Sequence, residues 1–181
     1  HHVMARSGRS VQFDDLKVRF RDGLDPTFEF RGLVIQNAPW ASTRAPLIRA
    51  GRLAATVSWR TLGSDLKIVD RIELQDAQVD MERQADGLRN WRITRPEDRG
   101  PPRIRVLELD ARDSTLHLVH AGIPLVLDAR STTLPAPRAL PARPDLPLTR
   151  HLDLAGRYGE RAFEGQADVS DVLSFGATSR V

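Results

Sequence analysis

Between Asp65 and Trp91 the chain reads DLKIVDRIELQDAQVDMERQADGLRNW, and this stretch constrains the fold more than any other. Apolar residues stand at Ile68, Ile72 and Leu74, then at Val79 and Met81, with polar or charged residues between them. Alternation at period two places one set of side chains on one face of a strand. Gln75-Asp76-Ala77 breaks the pattern, and Ala85-Asp86-Gly87 closes it with a turn, because Gly87 tolerates positive φ and Asp86 bonds the local backbone. The expectation is two strands and a return through Leu88, Trp91 and Ile93, each strand with one wet and one apolar face.

The pattern restarts after Arg95–Pro102, a stretch whose prolines and glycine predict a loop. In IRVLELDARDSTLHLVHAG, Leu107 and Leu109 answer Ile72 and Leu74, Leu116 and Leu118 answer Val79 and Met81, and Gly122 answers Gly87. A third strand is expected through Ile123, Leu125 and Leu127, ending by Thr133. Upstream, Val11 and Phe13 differ in parity from Leu16, Val18 and Phe20, which predicts a strand kinked near Asp14-Asp15. Thr27–Gln36 is a strand by residue type. Leu47–Trp59 fits helix or strand, with Thr56-Val57-Ser58-Trp59 favouring strand, and Arg60–Gly63 reads as a short helical turn. Prolines at 135, 137, 141, 144 and 147 predict a stiff, extended connection over 135–147. Leu152, Leu154 and Tyr158 turn at Gly159-Glu160 and return through Phe163, Ala167 and Val169, followed by a possible helix start at Ser170-Asp171.

The fold class expected is therefore all-β, a meandering antiparallel sheet of hairpins, curled into a groove or partly closed, with at most one or two short helices. His1-His2-Val3-Met4 reads as a tag remnant, so 1–10 is expected to be a disordered start. Residues 11–181 form one unit: an N-terminal β part at 11–94, a repeat at 103–134, the proline-rich connection at 135–147, and a further hairpin at 148–181. A sheet with one apolar face must become a sandwich, close as a barrel, or hold something apolar.

The chain has no cysteine, which removes disulfide, thiol and cysteine–zinc chemistry. Its net charge of +3 raises nucleic acid and anionic lipid as partners. Arginines interleaved with acids, as in Arg71-Ile72-Glu73 and Asp80-Met81-Glu82-Arg83, suit a solvated strand face and argue against nucleic acid. Asp14-Asp15, and Asp80 with Glu82, are carboxylate pairs better read as solvated residues than as an acid and base. His117 and His120 have opposite strand parity, and no third ligand for a metal is near. No nucleophile elbow and no phosphate-cradling glycine loop is present, so neither enzyme nor cofactor is expected. Trp40, Trp59 and Trp91 read as plugs at sheet ends or as a lipid or glycan lining. Arg49, Arg52 and Arg60 read as surface charge or as partners for lipid phosphate.

The organising stretch resembles the AsmA family, through Leu62-Gly63, Ile68, Ile72-Glu73-Leu74, Val79-Asp80-Met81-Glu82-Arg83, Asp86-Gly87 and Asn90-Trp91. Gly32-Leu33-Val34-Ile35-Gln36-Asn37-Ala38-Pro39-Trp40 is similar to an early segment of that family. Met81 stands where leucine or valine is more usual, and Thr61-Leu62 replaces a leucine pair. The resemblance spans about residues 13–93 and continues as pattern alone. It implies a non-enzymatic periplasmic body tethered to the inner membrane by an N-terminal helix not in this sequence. It also implies a curled sheet whose apolar side carries phospholipid acyl chains between inner and outer membrane, with the membrane surface and envelope proteins as further partners. Lipid-groove candidates are Ile72, Leu74, Val79, Met81, Leu107, Leu109, Leu116, Leu118, Ile123, Leu125 and Leu127. The second reading is a structural or adaptor module for outer-membrane assembly that binds protein at its sheet edges. A third is a glycan-binding β domain.

Overall fold

A computed structural model describes residues 2–4, 9–20, 25–61, 63, 66–92, 104–140, 143–170 and 173–174. The strands are β1 (His2–Met4), β2 (Ser10–Gln12), β3 (Asp15–Phe20), β4 (Pro26–Ile35), β5 (Ile48–Val57) and β6 (Lys67–Arg83). They continue with β7 (Ile104–Arg112), β8 (Ser114–His120), β9 (Leu125–Leu140), β10 (Arg143–Tyr158), β11 (Arg161–Val169) and β12 (Leu173–Ser174). The only helical element among the described residues is a 3-10 turn, Trp59–Thr61. All twelve strands join one open sheet, in the order β1-β2-β4-β5-β6-β8-β9-β10-β11. β3 lies beside β2 along β4, and β7 fills the space between β6 and β12. The expected all-β curled sheet is what forms.

One adjacency departs from a hairpin meander. β6 runs parallel to both β7 and β8, holding a single register from Lys67↔Ile104 to Arg83↔His120. The two similar stretches thus lie side by side in the same direction. Register pairs Leu109 with Ile72, so the equivalence of Leu107 with Ile72 is off by two residues. Gln75-Asp76-Ala77 does not reverse the chain either. β6 is one strand of 17 residues, and its partner line β7–β8 is interrupted only at Asp113.

Asp76 and Asp113 adopt left-handed backbone, with φ of 50° and 46°, and they lie level with one another across the sheet. Gly32, at φ 59°, lies level with them through Gly51, and Asp14 completes the line beside Gly32. At each strand on this line the apolar alternation changes parity: Leu16 to Phe13, Phe30 to Leu33, Leu53 to Ala50, Leu74 to Ala77. One extra residue per strand, as in a bulge, returns the following apolar residues to the same face. Because β4, β5, β6 and the β7–β8 line all carry it, pairing among them stays one to one and this part of the sheet acquires a transverse crease. Leu33, Ala50 and Ala77 are buried on its inner side, whereas Gln75, Asp76, Arg112 and Asp113 are exposed outside.

Hydroxyls and carboxylates bridge the interrupted ladder. Ser114 Oγ accepts from Ala77 N at 3.2 Å and donates to the Arg112 carbonyl at 2.6 Å, and Ser131 Oγ donates to the Ala111 carbonyl at 2.7 Å. Asp113 accepts from Thr133 N at 2.9 Å and from its hydroxyl at 3.0 Å. A buried backbone group left without such a partner is costly, which accounts for serine at these positions.

Four further expectations are corrected. Within the start, His2–Met4 are strand rather than disordered chain: β1 pairs β2 from His2↔Gln12 to Met4↔Ser10, and buried Arg9 donates to the Asn90 carbonyl. The described part of the 135–147 segment is not a separate connection, because 135–140 belong to β9 and 143–147 to β10. Pro135 and Pro137 are two apart, so they remove N–H groups from one edge of β9 only. β8 pairs with β9 no further than Ser114↔Ser131, and the β9–β10 pairing itself shifts register between Arg150↔Thr133 and Leu148↔Arg138, so both prolines stand where no regular ladder runs. Ile123 belongs to the turn before β9 and is exposed, since the chain reverses at residues 121–124. Leu88 and Trp91 form no return strand; they sit in a turn held by an Arg83↔Arg89 bridge and a Gln84 N bond to the Leu88 carbonyl. Ile93 and the Arg95–Pro102 loop lie outside the described residues, as does most of the segment after Ser170, where Leu173↔Leu109 pairing follows rather than a helix.

Candidate functional site

Cross-strand partners share a face, so register converts the apolar positions into rows. One row runs Val11–Ile35–Ile48–Val79–Leu116–Ala129–Leu154–Gly165. Another runs Met81–Leu118–Leu127–Gly156–Phe163. Beyond the crease, Val18–Phe28–Ala55–Ile72–Leu109 and Leu16–Phe30–Leu53–Leu74–Ala111 continue the same face. Ten of the eleven candidate positions fall on it: Ile72, Leu74, Val79, Met81, Leu107, Leu109, Leu116, Leu118, Leu125 and Leu127, all half-buried. Exposure rises toward β3, reaching 41% at Leu16, 48% at Val18 and 70% at Phe20. Among the described residues every strand belongs to this one sheet, so no second sheet covers the rows.

The opposite face before the crease is a lattice of ion pairs. Arg52 bridges Glu29 and Glu73, each at 3.1 Å, and Arg71 reaches Glu73, Glu108 and Asp110 at 3.4–3.7 Å. Asp110 is wholly buried and held by Arg112 at 2.8 Å and Arg150 at 3.0 Å. Burial alone would raise the Asp110 pKa, but the bonds from Arg112 and Arg150 outweigh it and hold the group below the ordinary carboxylate range. The Arg52 hydrogen bond likewise holds Glu29 low. Arg52 is therefore engaged within the sheet, which removes it as a free partner for lipid phosphate. Arg60 is exposed on the 3-10 turn.

After the crease this polar face forms a concavity of about 930 Å³. Its floor contains one row, Arg49–Gln78–Thr115–Arg130–Asp153–Gln166, and a second, Asp80–His117–Asp128–Ala155–Glu164, with Val79, Leu116, Ala129, Leu154 and Gly165 of the intervening row also lining it. Ala45 and Pro46 wall one end. His117 Nδ1 lies 2.7 Å from Asp128, and burial raises the Asp80 carboxyl. His120 lies on the other face, 2.9 Å from Arg83, as the strand parity required. Glu82 is not a solvated outer residue. The loop before β5 folds over it, and Glu82 Oε2 accepts from Ser42 N at 2.7 Å and Ser42 Oγ at 2.8 Å.

The turn after β6 contains a residue whose role sequence reasoning missed. Asn90 is fully buried; its Oδ1 accepts from Glu82 N at 2.8 Å, and its Nδ2 donates to Asn37 Oδ1 at 3.0 Å and to the Asp80 carbonyl at 2.9 Å. It thereby ties the loop after β4 to the end of β6. Trp91 beside it is half-buried, Trp40 accepts from Gln84 through its carbonyl, and Trp59 is exposed. None of the three lines the concavity. Comparison with family models, curated proteins and solved structures returned no match.

Proposed function

We propose that this chain is a non-enzymatic lipid-binding section of an AsmA-like periplasmic protein, tethered to the inner membrane by a helix outside the present sequence. It would carry phospholipid between the inner and outer membranes. The observation that supports this reading is the apolar face: its rows cross up to eight strands and stay half-exposed, while before the crease the charged face is closed by its own ion pairs. A folded chain in water rarely leaves so continuous an apolar surface without an occupant. Acyl chains suit it because each buried methylene contributes about 0.8 kcal/mol with no directional demand. The headgroup remains in water beyond the rows, and no bond is made or broken.

The test is native mass spectrometry with lipid extraction on protein purified from bacterial cells. Phospholipid near one-to-one is expected for the wild type. Leu118→Gln and Leu109→Gln are expected to lose it while retaining the far-ultraviolet signature of the sheet. A lipid-free wild type, or lipid retained in both variants, overturns the reading.

A further inference from the structure

We propose that two copies of this chain join edge to edge through β11, making one continuous sheet across a two-fold axis at Gly165. An open sheet presents unpaired N–H and C=O groups at its edges, and natural sheets guard them. Most edges here are guarded. β3 is six residues long, carries Lys17 and is cut off at Asp14 by the crease. The free half of β9 carries Pro135 and Pro137, and β7 is covered by β12. Among the described residues β11 is neither covered nor broken, and its only guard is the charge of Arg161, Glu164 and Asp168. It pairs with β10 over nine residues without a bulge, from Tyr158↔Arg161 to Arg150↔Val169, it contains neither proline nor lysine, and residues 161–167 are exposed.

Two constraints select the register. For the apolar faces of both copies to lie on the same side, odd positions of one β11 must oppose odd positions of the other. Centring the pair on Glu164 sets that carboxylate against itself, and centring it on Gln166 sets Glu164 against Asp168 twice. Centres farther out shorten the overlap. Centring on Gly165 aligns all nine residues, sets Glu164 against Gln166 and Phe163 against Ala167, and opposes no like charges. Among the described residues Gly165 has no neighbour within 4 Å of where a Cβ would stand, so none of them requires glycine there. A glycine within a strand often marks the close approach of another backbone. The junction would carry the Phe163 row of the apolar face from one copy into the next.

The test uses the full chain, which contains no cysteine. Gly165→Cys places two thiols opposite each other at the axis, within disulfide reach for directly opposed residues. Mild oxidation is expected to give a disulfide dimer, while Glu160→Cys in the β10–β11 turn stays largely monomeric. In light scattering, the wild type is expected at twice the chain mass. Gln166→Glu, which opposes Glu164 twice by symmetry, should weaken the dimer about tenfold, and Gln166→Arg should tighten it by a similar factor. A monomeric wild type, together with a Gly165→Cys variant that does not cross-link, overturns the proposal. So does a dimer that cross-links in the Lys17→Cys variant on β3 and not in the Gly165→Cys variant, or a chain that pairs at β11 only with a different protein. None of these readouts depends on bound lipid, so failure here and failure of the lipid reading are separate results.

Discussion

At the scale of single residues, the molecule is held by polar groups in places where the sequence pattern suggested only solvent. Asn90 shows why. Its amide satisfies the Glu82 N–H and the Asp80 carbonyl at the end of β6, and no apolar side chain supplies both a donor and an acceptor there. Asn90→Ala is expected to lower unfolding free energy by about 3 kcal/mol, because several buried partners lose their bonds at once. The shift in urea midpoint reads it, and a change within about 0.5 kcal/mol would show that the loop is not held by this side chain. Asp110 belongs to the same class. Its position in an alternating strand makes it look like a solvated outer residue, and the arginine that buries it, Arg150, comes from 40 residues away. Nothing local in either segment records that encounter.

At the scale of elements, the crease explains most of what the sequence disclosed and most of what it concealed. Strand residues were legible wherever β-branched and aromatic residues recur at period two, and not at His2–Met4 or in the proline-bearing ends of β9 and β10. The tight turns at Gly87 and Gly159, with φ of 89° and 59°, were legible for the same local reason. The change of parity was equally visible, and at Asp14-Asp15 it read correctly as a kink. At Gln75-Asp76-Ala77 the same signal read as a break between two strands, because an aspartate in left-handed backbone serves a strand end and a crease alike. The parallel pairing of β6 with β7 was not legible, since it depends on where the chain crosses rather than on either strand's own residues. The two creasing aspartates are expected to differ under substitution. Asp76→Gly relieves left-handed strain at a residue with no side-chain bond among the described contacts, and should be neutral or stabilising by up to about 1 kcal/mol. Asp113→Gly also loses both bonds to Thr133 and should be destabilising by about 1 kcal/mol. Paired thermal melts compare them, and equal shifts would mean that the Thr133 contacts contribute nothing.

At the scale of the whole molecule, charge on the polar face sets how stability varies with pH. The Glu29 and Asp110 pKa values lie below their ordinary ones, so their contribution is complete above the ordinary carboxylate range and is lost as pH falls through the lowered values. The bond from Asp168 raises His151 above 6.5, so that contribution is complete below the ordinary histidine value and fades as pH rises through the raised one. Thermal stability should therefore be greatest in mildly acidic solution and decline on both sides. His151→Gln should flatten the alkaline decline, and Asp110→Asn should lower the acidic plateau and soften its edge; an alkaline limb unchanged by His151→Gln would place its origin elsewhere. The crease bears on the molecule at this scale too. It works as a reading frame written across the sheet rather than along the chain. Removing Asp76 alone would turn every later residue of β6 inside out, setting Val79 and Met81 among the arginines and Glu82 among the leucines, while the neighbouring strands kept their old phase. Such a sheet tolerates many exchanges of one side chain for another, but a change of strand length near the crease succeeds only if several distant stretches of sequence change together.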